Sequence, residues 1–130
     1  MVEVTDVETA GWKRDDETAA RFFPHSIAAS VPGTELHYSF EGTAVGFFWV
    51  IAPDSGDMEW SVDGAPAKRA SSWDSYALRF TRKNYTILDD SLPPGRHELT
   101  VRVLGEHNPQ SQGTAIRIGW LLVNGLAAKQ

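Results

Sequence analysis

Apolar and polar residues alternate with a period of two along most of the chain, the pattern of strands that bury one face. Leu36, Tyr38 and Phe40 alternate with Glu35, His37, Ser39 and Glu41; Met58, Trp60 and Val62 alternate with Glu59, Ser61 and Asp63. Tyr76, Leu78 and Phe80 alternate with Ser75, Arg79 and Thr81, Ala77 interrupting the polar set. Leu99, Val101 and Val103 alternate with Glu98, Thr100 and Arg102. Ile116, Ile118, Trp120 and Leu122 form a last stripe, opposed by Arg117 and then by Leu121 and Val123. The segment from Ala44 to Ile51 is apolar on both faces, which predicts a central strand covered on both sides. Gly46 within it admits a close neighbour.

Turn chemistry separates these runs. Asp63-Gly64 is a hairpin signal, and Pro53-Asp54-Ser55-Gly56 and Pro93-Pro94-Gly95 are clusters in which proline pre-sets φ and glycine supplies a positive one. The longest polar connection runs from Gly105 to Gly113. Asp15-Asp16-Glu17 ahead of Ala19-Ala20 predicts one short helix ended by Pro24, and Val2-Glu3-Val4 a short first strand. Short strands joined by turns, without sustained helical periodicity, predict an all-β fold: an antiparallel β-sandwich of jelly-roll type.

A chain of 130 residues fits one domain, and its 42% hydrophobic content supplies a core that needs no staple. The expected domain is 1–130 with its core at about 11–125, and its boundaries suit a piece trimmed from a larger protein. With no cysteine, disulfide frameworks, thiol catalysis and cysteine zinc sites are all excluded. The net charge of −5 comes without any run of Lys or Arg, so neither nucleic acid nor an anionic membrane surface is an expected partner. Ala44 to Pro53, the longest apolar stretch, is about half of the ~20 residues a membrane helix requires. Asp6, Glu8, Asp15, Asp16 and Glu17 near the start do not read as a signal peptide, which leaves a cytoplasmic protein or an excised piece.

Recognisable catalytic patterns are missing. His25, His37, His97 and His107 have neither the spacing that puts two imidazoles on one helix face nor a neighbouring carboxylate pattern typical of zinc. His97 is in phase with Leu99 and Val101 and reads as a histidine at a strand edge. No serine sits in a GxSxG elbow, and Gly56-Asp57 is followed by Met58, so no Gly-Asp-Ser block is present. No Gly-rich phosphate loop occurs either, so no cofactor, no metal and no activity of the chain's own is expected.

Five tryptophans stand out. Trp49, Trp60 and Trp120 fall in phase with apolar stripes and read as core, while Trp12 reads as a clamp or a lid over it. Trp73 lies in the polar stretch Ala70 to Ser75, so partial exposure is expected. Sugar rings present an apolar C–H face and a hydroxyl edge, which suits a flat aromatic beside carboxylate, amide or guanidinium groups. The stretch from Trp73 to Tyr85 supplies these: Trp73 and Tyr85 as platforms, with Asp74, Arg79, Arg82 and Asn84 as polar partners. The competing structural reading folds Trp73 back onto the sandwich edge and pairs the arginines with surface acids.

The runs FEGTAVGFFWV, PDSG and MEWSVDG between Phe40 and Gly64 resemble the β-sandwich accessory domain of SGNH/GDSL-type carbohydrate esterases. SSWDSYALRF, LPPGRHELTVRV and GTAIRIGWLLVNG extend the resemblance over about Gly11 to Gly125. It implies a galactose-binding-like jelly roll beside a separate α/β hydrolase domain that holds the Ser-His-Asp catalysis. It implies also periplasmic or secreted work on acylated polysaccharides. Two roles follow: a carbohydrate-binding module that holds polysaccharide or oligosaccharide, or an accessory domain that packs on a covalently linked hydrolase domain and shapes its cleft. A stand-alone cytoplasmic scaffold is a third.

Overall fold

The computed structural model describes residues 2–3, 11–14, 22–23 and 26–124. The helix expected after Asp15, together with Pro24 and His25, lies outside the described residues. Among the described residues ten strands follow in chain order: β1 (Val2–Glu3), β2 (Lys13–Arg14), β3 (Ile27–Ala29), β4 (Glu35–Glu41), β5 (Ala44–Ile51), β6 (Asp57–Val62), β7 (Lys68–Ser71), β8 (Arg82–Asp89), β9 (Arg96–Val103) and β10 (Ile116–Asn124). They form two antiparallel sheets, ordered β2-β3-β10-β5-β8, with β1 also on β10, and β4-β9-β6-β7.

Alternation explains the smaller sheet directly. Leu36 and Phe40 of β4, Met58, Trp60 and Val62 of β6, and Leu99, Val101 and Val103 of β9 all point inward. They meet Val45, Phe47 and Trp49 of β5 and Ile116, Ile118 and Leu121 of β10 in one apolar cluster, which makes the pair of sheets a sandwich. Trp12 acts as the clamp: its ring is buried in that cluster, and its indole N–H donates to the Glu35 carbonyl across the sandwich at 3.1 Å.

The stripe expected through Trp120 and Leu122 is corrected by a bulge. Ile118 sits opposite Trp49 and Trp120 opposite Phe48, so Gly119 is an extra residue in β10. A one-residue insertion exchanges the faces of everything after it. Leu121 therefore enters the core, and Trp120 turns to the outer face against Phe48 and Phe23, with ring centroids 6.1 and 5.6 Å away. Glycine is required there, because an added Cβ would lie 2.3 Å from the Phe23 ring. Phe23 packs there with Val50 and Ala52, so β5 is covered on both faces as its sequence predicts.

A second correction concerns residues 75–80. Ser75–Leu78 is a turn of 3₁₀-helix, not a strand. Asp74 caps it by accepting from the Tyr76 N–H at 3.1 Å, and Ala77, which breaks the alternation, is the residue it buries. The edge strand is β8 instead, with Tyr85 and Ile87 left largely exposed. One end of the sandwich carries the connections 30–34, 52–56, 72–81 and 104–115. The polar 104–115 connection is pinned there, Ser111 Oγ donating to the Ser55 carbonyl at 2.6 Å.

At the other end Asp63 and Gly64 both adopt positive φ (57° and 75°), the signature of a type I′ turn. Asp63 accepts from the Glu98 N–H at 2.8 Å and from His97 Nδ1 at 2.5 Å, while His97 Nε2 donates to the Pro93 carbonyl at 2.6 Å. Both ring nitrogens of the buried His97 face acceptors, so the imidazolium is the form that satisfies them. The Asp63 hydrogen bond, then the Pro93 carbonyl, hold His97 above its ordinary pKa of 6.5. The His97 hydrogen bond, then the Glu98 N–H, hold Asp63 below 3.8.

A raised histidine stabilises fully below its unfolded pKa, and that contribution is lost as pH rises through the folded value. The lowered carboxylate stabilises above its unfolded pKa and loses its contribution as pH falls through the folded value. Denaturant midpoints are therefore expected to fall on the alkaline side of 6.5 in the wild type and to stay flatter in His97→Gln. Equal alkaline slopes for the two proteins would contradict a stabilising, protonated His97.

Candidate functional site

The segment from Ser72 to Arg82 crosses from the smaller sheet to the edge of the larger one. Its start is fixed, since both the N–H and the hydroxyl of Ser72 donate to the Gly56 carbonyl at 3.0 and 2.9 Å. Trp73, expected to be partly exposed, is instead 8% exposed and packs with Ile51 and Ala77 beneath the 3₁₀ turn. The reason is local. Ile51 ends the apolar β5, and the indole packs against that end together with Ala77. Among the described residues Trp73 Nε1 has no hydrogen-bond partner, and the ring's contacts are with Ile51 and Ala77.

Asp74 and Arg82 do come together. Arg82 donates Nη1 to Asp74 Oδ1 at 3.0 Å and Nη2 to Oδ2, a forked pair that spans the turn. The hydrogen bond to Arg82 keeps the Asp74 carboxyl below its ordinary 3.8, while Asp74 raises Arg82. The Arg82 guanidinium also lies 5.5 Å from the centroid of the Tyr76 ring. Tyr76 and Phe80 are exposed, 61% and 50%, with centroids 6.3 Å apart and planes tilted by 34°.

The remaining candidates are distributed differently. Arg79 follows the turn and is exposed. Asn84 is exposed on the same face of β8 as Arg82, its Oδ1 accepting from the Tyr85 N–H. Tyr85 is in register with the outward-facing Phe48 and meets its ring edge at 5.9 Å. By the period-two rule it faces the opposite side from Arg82 and Asn84. The aromatic groups beside the polar pair are thus Tyr76 and Phe80, which alternation had assigned to a buried stripe. Asp74 three residues before Ala77 was the capping signal that marks the turn. Among the described residues, no group of three or more His, Asp or Glu converges as metal ligands would.

No protein-family model and no curated protein matches the sequence. Solved structures do match the fold. A two-domain esterase active on acetylated mannans, co-crystallised with mannopentaose, superposes with a TM-score of 0.72 at 16% identity over 92% of this chain. This chain spans 33% of that esterase, a third of its length. A family two carbohydrate esterase from Clostridium thermocellum in complex with cellohexaose gives 0.58 at 12% identity, over 91% of this chain and 31% of its own. A family 35 carbohydrate binding module from Clostridium thermocellum gives 0.58 at 15% identity, over 95% of this chain and 96% of its own. The chain has the β-sandwich fold seen in that carbohydrate binding module, and it spans about a third of each of the two esterases it superposes on.

Proposed function

We propose that this chain is a non-catalytic carbohydrate-binding module that accompanies an SGNH-type polysaccharide esterase and holds it near its substrate. The observation that carries the proposal is the exposed Tyr76–Phe80 pair beside the forked Asp74–Arg82 ion pair. Two tilted rings offer apolar faces to the C–H face of a sugar, and the partly exposed carboxylate and guanidinium offer an acceptor and donors to its hydroxyls. Arg79 and Asn84 extend the donor and acceptor set along the same edge. The neighbouring folds, one crystallised with mannopentaose and another with cellohexaose, support polysaccharide as the ligand class.

Affinity electrophoresis through gels with mannan, acetylated mannan, xylan and cellulose derivatives tests this. Retardation by at least one polymer is expected. Tyr76→Ala and Phe80→Ala should each weaken it by ~2 kcal/mol, as for a hot-spot aromatic, with stability held within about 0.5 kcal/mol. A second reading, packing against a linked hydrolase domain, is favoured by Leu78 and Ile87, which add exposed apolar surface without a flat ring. Migration unchanged by every polymer would overturn the sugar reading in favour of packing.

A further inference from the structure

A second hollow lies on the flank of the larger sheet, away from the Tyr76–Phe80 turn. Ile116 and Ile118 enter the core, so Arg117 between them faces outward. The ladder places Arg117 beside Ala28 and Ala28 beside Lys13, which makes a row across β10, β3 and β2. The middle member contributes only a methyl, so two cationic side chains flank an open floor. Asp54 closes one side from the β5–β6 turn, accepting both Nη1 and Nη2 of Arg117 at 2.7 and 2.9 Å. Ser30 and the exposed Val31 form the far wall, and the whole encloses about 320 Å³.

The walls are held before any ligand arrives. The Asp54 carbonyl accepts from the Ala115 N–H at 2.9 Å, and the Thr114 hydroxyl donates to the Ser30 carbonyl at 2.7 Å. Gly113 packs against Asp54 so closely that an added Cβ would lie 3.3 Å from it. The volume is at the lower end of the ~300–1,000 Å³ of small-molecule sites. Its chemistry is mixed. Lys13 contributes an ammonium donor and Asp54 a carboxylate acceptor, while Ala28 on the floor and Val31 on the wall are apolar. A simple anion would meet Asp54 and a simple cation would meet Lys13. A hydroxyl both donates and accepts, so a ring with adjacent hydroxyls and a C–H face matches this lining.

We propose that the hollow between Lys13, Ala28 and the Asp54–Arg117 pair is a second saccharide site, sized for a single sugar ring; this rests on the carbohydrate-binding reading above. The test is an amide-resolved NMR titration of the chain with mannopentaose, cellohexaose and xylohexaose, with glycerol as a control polyol. At least one oligosaccharide should shift Ala28, Ser30, Val31, Asp54 and Arg117 as a set separate from Tyr76 to Arg82. Ala28→Gln fills the floor while keeping Lys13, Asp54 and Arg117 and their charges in place. It should weaken the first set by about tenfold or more and leave the second unchanged. Shifts confined to Tyr76–Arg82 would overturn the second site and leave the module reading intact. Shifts confined to the hollow would support it and displace the first site. No shift in either set with all three sugars, or equal shifts with glycerol, would overturn it.

Discussion

Trp73→Ala is expected to lower folding stability by about 3 kcal/mol or more, the low end of the range for truncating a buried tryptophan. The indole is 8% exposed and fills the space between the end of β5 and the 3₁₀ turn, against Ile51 and Ala77. Truncation removes that contact and leaves a hollow that the anchored Ser72 and the capped turn cannot close. One effect works the other way. The buried Nε1–H has no acceptor among the described residues, and such a group costs about 1–3 kcal/mol while it stays unpaired. Trp73→Phe, which keeps an aromatic ring and deletes the orphan donor, should therefore cost much less than the alanine change. Chemical denaturation of the three proteins measures both differences. An alanine variant as stable as wild type would return Trp73 to the surface and reopen its role as a sugar platform.

The other large effect is at Gly46, where Gly46→Val should cost about 3 kcal/mol or more and broaden or abolish the cooperative transition. Gly46 lies opposite Ile87 in the β5–β8 ladder, next to a register shift. A Cβ there would stand 2.3 Å from the Thr86 carbonyl oxygen and 2.9 Å from the Ile87 Cα. Those atoms are main chain, so relief requires β8 to move away from β5 as a unit. Tyr85, Arg82 and the capped turn are all carried on or into β8, so the candidate site should loosen with it. Thermal unfolding followed by near-UV circular dichroism reads both consequences. A valine variant with a wild-type melting curve would mean that the two strands are not so closely apposed.

How far these features could be read in advance depends on how local their causes are. In β4 and β6 the inward positions are apolar and the outward ones polar, and β9 departs from that rule only at the buried His97, so alternation locates all three. The short strands β3 and β7, for example, carry Ile-Ala-Ala and Lys-Arg-Ala-Ser, too brief for a period to register. β8 exposes Tyr85 and Ile87, so its alternation marks no buried face. At Gly119 a single inserted residue reverses the rule midway, and nothing local announces it until the partner strand is known. The polar half of the candidate site was legible because Asp74 and Arg82 flank one turn. Its aromatic half was not, since Tyr76, Leu78 and Phe80 mimic a strand while the capping Asp74 and buried Ala77 make a turn. Whether an indole in a polar segment folds inward depends on what lies beneath it, here the end of β5.

The position of β10 bears on how the molecule is made. It is the last strand among the described residues, yet it lies between β3 and β5 and also receives β1. Synthesis from the N-terminus at roughly 5–20 residues per second leaves β5 waiting for its neighbour while some sixty residues are added. During that interval AVGFFWVI has an open edge and two apolar faces, the composition most prone to self-association. Assembly of the larger sheet is thus concentrated in a late step, dominated by contacts distant in sequence and correspondingly slow. Variants that delay the docking of β10 would then reduce yield in the cell before they lower equilibrium stability in the tube.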